Sequence, residues 1–364
     1  MLTLIRNVRL YDPLPLGRRD ILVCGERIAA VAPDLRVEAP DLEVLDAGGA
    51  VAVPGLLDQH VHIIGGGGEN GLLSRIEPLP VAECVAAGIT TVVGLLGTDS
   101  VTRGVPALVA YTKAMNEAGL TAFCLTGAYA FPSPTITGSV EKDIVYIQEV
   151  IGVKIAISDH RSSYITMDEI LRLASQARVG GLVSNKAGIT HFHVGREKKG
   201  LQDLIRIAET TDFPISHLKP THVGNRKEDA FRFAALGGSI DFTAGRDPEE
   251  TASQVAAALE AVPAERITVS SDANGSLPVW DENRKLVGIR KAEISALPET
   301  LRALVGKKKL PLERVLPLFT SNVAEGLKLF PRKGCLRRGA DADLVLMDPS
   351  LKPQAVFARG KRLL

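Results

Sequence analysis

The stretch GITTVVGLLGTDSVTRGVPALVAYTKAMNEAGLTAFCL, residues 88–125, sets the rhythm of the chain. Residues 88–94 form a β-type run between two glycines. Residues 105–119 place apolar side chains at helical spacing, and residues 122–125 are again short and apolar. This strand–helix–strand unit recurs downstream. Strand-like runs stand at 153–158, 190–194, 215–221, 239–243 and 267–271. Helical stretches lie between them at 140–149, 167–179, 201–211, 227–236 and 248–261. With the apolar run that leads into His60, the count is eight strands. Alternating strands and helices argue for a parallel α/β structure, and eight such units argue for a closed barrel.

The two ends read differently. Residues 2–5, 20–23 and 27–31 are β-type runs separated by turn residues, and 343–347 and 354–358 return to that character after a helical region at 293–323. The expected architecture is a (β/α)8 TIM-like barrel over residues 54–327. A small β-sandwich domain would form from residues 1–53 together with 328–364.

Composition narrows the function. The chain has 364 residues, with 43 Lys+Arg against 42 Asp+Glu, a formal net charge of +1. No electrostatic footprint for nucleic acid or an anionic membrane follows from that balance. Aromatics at 4% leave little material for stacking platforms. Cys24, Cys84, Cys124 and Cys335 are far apart and form no CxxC pair, so they read as free thiols of a reducing compartment. The first residues lack a signal-peptide core, and no apolar run approaches a membrane span. A cytoplasmic protein is expected, with neither nucleic acid nor membrane as partner.

In such a barrel the chemistry sits where strands end at their C-terminal side. The candidates recur there. His60 and His62 are two apart, so on a strand both imidazoles project to one face, as a metal clip requires. In residues 151–158, IGVKIAIS, the large apolar side chains share one parity, and Lys154 shares the other with Gly152, Ala156 and Ser158. That parity turns Lys154 into the barrel, where desolvation disfavours its ammonium form. A neutral amine there is a nucleophile that CO₂ can carboxylate; the alternative is a lysine reaching solvent at a strand end. His193, His222 and Asp272 each follow a further β-type run.

The order HxH, Lys, His, His, Asp resembles the amidohydrolase superfamily of binuclear metal hydrolases. Within it, QHVHIIGGGGE (59–69), VGLLGTDS (93–100), LTGAY (125–129), ITGSVEKD (136–143), ISDHRS (157–162), PTHV (220–223) and SSDANGS (270–276) resemble the isoaspartyl (β-aspartyl) dipeptidases. The resemblance implies two zinc ions per subunit. His60, His62 and Asp272 would hold one and His193 and His222 the other, with carboxylated Lys154 bridging both. A hydroxide shared by two cations is a nucleophile at neutral pH, and Asp272 would pass its proton to the leaving amine. Tyr129 would donate to the carbonyl oxygen as charge develops there. Glu69, after the glycine run that includes Gly67, would pair with the substrate ammonium, with Thr98 at the same end. Arg161 and Ser276 would hold substrate carboxylate. The implied substrate is a small β-aspartyl dipeptide, and the implied assembly is a homo-oligomer, in the form of an octamer.

Two positions depart from that pattern. The arginine the family carries three residues after the histidine matching His222 is Asn225 here, with Arg226 one step later, so Arg226 is the candidate for its role. His191 stands two before His193, where the family usually has an apolar residue, and the two are rival ligands. Rival functions are a hydantoinase or dihydropyrimidinase type of amidohydrolase acting on cyclic amides or N-acyl amino acids, and an inactive barrel serving as a binding subunit.

Overall fold

The computed structural model describes residues 2–245, 247–283 and 285–364. The N-terminal strands β1 (Leu2–Asp12), β2 (Leu14–Cys24) and β3 (Arg27–Ala32) form an antiparallel ladder. Gly25, at φ +57°, makes the two-residue turn between β2 and β3. The strands β4 (Leu42–Asp46) and β5 (Val51–Pro54) lie parallel to β1 at its two ends. Sequence pattern does not single out β4, because it is an edge segment with mostly exposed side chains and so lacks an apolar run.

The chain then enters the barrel. Its strands are β6 (Leu56–Val61), β7 (Ile89–Gly94), β8 (Thr121–Gly127), β9 (Val150–Ile157), β10 (Ile189–Val194), β11 (Leu218–Thr221), β12 (Ile240–Thr243) and β13 (Ile267–Ser270). They pair in sequence order, all parallel. The last meets the first through a bridge between Val61 and Ala273. His62 N donates to Ala273 O at 2.9 Å and Asp272 N donates to His60 O at 3.1 Å. The closing bonds thus belong to the same residues that carry the candidate chemistry. The α/β barrel expected from the βα rhythm is the fold observed.

Between the strands run the expected helices, set by local signals. Thr166 and Glu169 form a reciprocal capping box that starts the helix Met167–Ser184, which ends at Asn185 in the left-handed conformation. Asp247 caps Pro248–Leu259 by accepting from the backbone of Glu249 and Glu250. Two expectations shift in detail. The run at 215–221 begins with a 3₁₀ turn, Ile215–His217, entered from Pro214, and only Leu218–Thr221 joins the barrel. The helical region at 293–323 divides into Ala296–Gly306, Leu312–Val315 continuing as a 3₁₀ turn to Phe319, and Ser321–Gly326. Pro311 and Pro317 bring breaks that apolar spacing does not register.

An antiparallel hairpin, β14 (Ser276–Trp280) and β15 (Leu286–Lys291), leaves the barrel directly after Asp272. The tail returns as β16 (Leu344–Met347), β17 (Pro353–Ala358) and β18 (Lys361–Arg362). Strand β16 lies antiparallel to β5, so both termini share one sheet of order β18-β17-β16-β5-β1-β2-β3. That sheet has its own core, including Ile5, Val8, Leu10, Ile21, Leu344 and Phe357.

Candidate metal centre

Lys154 is the fifth residue of β9, and its side chain is fully buried. The parity argument holds: Lys154 points inward, in register with His191 on β10, which is in turn in register with Lys219 on β11. Burial pulls the Lys154 amine down to about 7, against the opposing pull of Asp272. An amine lowered that far is in part unprotonated near neutral pH, the form that can act as a nucleophile toward CO₂.

Around it converge the predicted imidazoles. His60 Nε2 lies 3.2 Å from Lys154 Nζ and 3.2 Å from Asp272 Oδ1. His62 Nε2 is also 3.2 Å from Asp272 Oδ1. His60, His222 and Asp272 each offer a donor atom within 4.8 Å of the others, a set able to hold a metal ion. Burial, followed by the charge of Lys154, holds His60 well below the ordinary histidine range. Burial and the neighbouring His193 do the same to His222. Burial lowers His193 to about 4 despite its hydrogen bond to Asp159. Burial would raise Asp272, but its hydrogen bonds with His60 and His62 outweigh it, and the carboxyl sits well below its usual range. Neutral imidazoles and an ionised carboxylate are the protonation states that ligate cations.

Backbone conformation aims these groups. His222 (φ +63°), Asp272 (φ +56°) and Ser158 (φ +54°) are left-handed residues just past β11, β13 and β9. Non-glycine residues rarely adopt that region, and such strained positions gather at functional sites.

The nitrogens facing away from the cluster are held from behind. His193 Nε2 donates to Asp159 Oδ2 at 2.9 Å, which leaves Nδ1 as the lone pair, and Tyr129 Oη donates to it at 2.7 Å. His222 Nδ1 is 2.6 Å from Thr243 Oγ1. Asp159 and Thr243 were not picked out as functional from sequence. Asp159 lies inside the quoted ISDHRS motif, whereas nothing local marks Thr243. Asp58 is a third omission, although it shares its strand face with His60 and His62. Its Oδ1 accepts from the backbone of Ser271 and His60, and burial raises it to about 7. His191 does not face the cluster from the front. Its Nε2 sits 2.9 Å from His60 Nδ1, on the far side of that ring.

At the mouth, Glu69 Oε1 accepts from Ser276 Oγ at 2.6 Å, Arg161 at 3.1 Å and Thr98 Oγ1 at 3.2 Å, so four predicted substrate residues form one group. Glu69 Oε2 is buried without a partner among the described residues. Arg161 also donates twice to Asp159, at 2.8 and 2.9 Å, and lies over the Tyr129 ring. Burial opposes its charge, yet Asp159 and Glu69 raise it further above the ordinary arginine range. Gly67, at φ +84°, lets the loop fold back on itself, since a Cβ there would come within 2.4 Å of Ser74 O. Arg226 lies elsewhere: its guanidinium donates to the carbonyl oxygens of Glu197 and Gly195, bracing the loop after β10.

The amidohydrolase family model matches residues 51–363, and the chain belongs to that family of hydrolytic enzymes. It is similar over its whole length to the β-aspartyl dipeptidase of Fervidobacterium islandicum AW-1, solved in complex with β-Asp-Leu. The identity is 42%, coverage is 100% of this chain and 97% of that one, and the TM-score is 0.94. More remote relatives are the L-hydantoinase of Paenarthrobacter aurescens (24% identity, 95% of this chain and 85% of the relative) and the dihydroorotase of Aquifex aeolicus (24%, 95% and 89%). Among the described residues no helix is long and apolar enough to cross a membrane.

Proposed function

We propose that this enzyme hydrolyses β-aspartyl dipeptides at a pair of zinc ions. His60, His62 and Asp272 would hold one ion and His193 and His222 the other, with Lys154 bridging as a carbamate. The ions, when bound, supply an acidified water and a field that stabilises developing negative charge. The chain's own residues do the rest. Asp272, kept ionised by His60 and His62, receives a proton and carries it to the leaving amine. Tyr129, whose hydroxyl burial keeps protonated, donates to the carbonyl oxygen as charge develops.

The observation that carries the substrate class is the Glu69–Arg161 ion pair at 3.1 Å, with the second Glu69 oxygen unpartnered among the described residues. A β-aspartyl residue presents a free ammonium and a free carboxylate on one carbon. Inserted between the two side chains, it would replace one ion pair with two, ammonium on Glu69 and carboxylate on Arg161 and Ser276. An α-aspartyl peptide, whose α-carboxylate is consumed in the peptide bond, cannot offer that pair on one carbon. A hydantoin lacks the ammonium altogether. The likeness to the Fervidobacterium enzyme supports the same reading.

Hydrolysis rates on β-Asp-Leu, α-Asp-Leu and a hydantoin test it. Strong preference for the β-linked peptide is expected. Equal rates on the two peptides, or preference for the ring, would sink it and favour the cyclic-amide reading. Metal analysis is expected to find two zinc ions per chain.

A further inference from the structure

Three of the four candidate ligand imidazoles are gripped on the nitrogen turned away from the cluster. Asp159 grips His193, Thr243 grips His222, and His191 is the partner of His60, with Nε2 2.9 Å from His60 Nδ1. We infer that His191 is a positioning residue that accepts the Nδ1 proton of His60 and so fixes the Nε2 lone pair of His60 on the metal side. The inference rests on the metal reading above.

The geometry admits two arrangements of protons. In one, His191 Nε2 donates to His60 Nδ1, and His60 carries its proton on Nε2, facing Asp272 Oδ1 at 3.2 Å. That ring cannot ligate through Nε2. In the other, His60 Nδ1 donates to His191 Nε2, and His60 Nε2 is a free lone pair beside Lys154 and Asp272. Both rings are neutral in each arrangement, so metal binding selects between tautomers without net proton uptake. The ligating arrangement leaves the proton of His191 on Nδ1, which has no partner among the described residues. A fully buried side chain that leaves a polar atom unsatisfied is costly, and an apolar residue would avoid the cost. Its one side-chain bond among the described residues goes to a candidate ligand, which is where its use lies. The backbone of His191 is held between two neighbouring strands, in register with Lys154 on one side and Lys219 on the other, and its side chain is fully buried.

The test compares His191→Phe, which fills the volume without an acceptor, with His191→Gln, whose amide oxygen can reach the same point. Protein stripped of metal is titrated with Zn²⁺ against a chromophoric chelator, and the Co²⁺-loaded forms are compared by their visible ligand-field spectra. His191→Phe is expected to weaken binding at one of the two sites by about 10–100-fold, the usual effect of losing a ligand's hydrogen-bond partner. It should also shift the Co²⁺ bands, while His191→Gln recovers both and the two metal-free variants melt alike. Wild-type affinity in His191→Phe, or equal weakening in both variants, would overturn the inference. A readout that needs no variant is the histidine side-chain ¹H–¹⁵N spectrum of the zinc-loaded wild type. A proton on His191 Nε2 there overturns the inference, and a proton on His60 Nδ1 bonded to His191 supports it. If the wild type binds no metal, the metal reading falls and takes this inference with it. If it binds metal with the other tautomer, this inference alone falls.

Discussion

Lys154 and Lys219 flank His191 in one layer of the barrel, one strand to either side, and both are buried. Burial lowers both amines, to about 7 and about 8. Their surroundings differ in kind. Beside Lys219, Asp241 accepts from Gln59 and Thr268 at 2.7 Å on one oxygen and from Thr221 and Ser270 at 2.6 Å on the other. Every lone-pair direction of that carboxylate is taken. In the candidate site that Lys154 joins, by contrast, the candidate ligand His62 leaves Nδ1 and the mouth residue Glu69 leaves Oε2 without a partner among the described residues. A closed polar network stabilises a core, whereas an open one holds capacity for something that arrives later. The ends proposed for the two buried lysines therefore differ, and the observed difference is the satisfaction of the polar groups in each setting.

The sharpest way to break this contrast is a pair of substitutions. Asp241→Ala strands four donors and removes the nearby negative charge that favours the Lys219 ammonium, and should cost about 3–5 kcal/mol in urea unfolding, as loss of one partner of a buried charge network does. Lys154→Met should abolish hydrolysis of β-Asp-Leu, yet leave the metal-free protein as stable as before or more so, because a buried amine is replaced by an apolar chain. Comparable destabilisation by both would erase the distinction.

Tyr129→Phe removes only a hydroxyl. Its kcat should fall about 10²–10³-fold, the range seen for removal of one oxyanion donor, with KM little changed. Full kcat in that variant would end the polarising role. Glu69→Gln probes the unpartnered oxygen. Loss of a charge-assisted bond to the substrate ammonium should lower kcat/KM on β-Asp-Leu by about 1.5–3 kcal/mol in transition-state binding. An N-acetylated substrate should show no such drop between wild type and variant. An equal drop on both would mean that Glu69 acts on the fold of the loop.

A last effect concerns Lys219 and pH. An unfolded lysine keeps its proton to about 10.5, whereas the folded Lys219 releases it around 8. Between those values the unfolded chain binds more protons, so the lysine's destabilising effect fades as pH rises. Wild type should gain stability relative to Lys219→Met with a slope of at most about 1.4 kcal/mol per pH unit. Parallel stability curves for the two proteins over that window would show that Lys219 keeps its proton inside the fold.

Much of this was legible along the chain, for identifiable reasons. The barrel follows from strand–helix alternation, because each strand is buried on both faces and reads as a short apolar run. Lys154 could be placed inside by parity alone, since a strand repeats every two residues. His60, His62, His193, His222 and Asp272 could be picked out because barrel chemistry collects after strand ends. The misses share a cause: β4 is an exposed edge, Thr243 is an ordinary polar residue at the end of its strand, and Asp58 looks like any acid beside a histidine. Nothing periodic marks them.

The sequence by itself determined the kind of protein: the barrel, the inward lysine, the ordered set of ligand-type residues and the resemblance from which the proposed role of Glu69 is drawn. Only the tertiary structure decided what each nitrogen and oxygen faces. It put His191 behind His60, turned Arg226 onto loop carbonyls, set Glu69 against Arg161 and left one Glu69 oxygen without a partner among the described residues. Those contacts join residues 29, 92 and 131 positions apart, on strands and loops whose neighbours are set by barrel closure. Local periodicity shows which face a side chain takes; only the closed barrel brings it a partner.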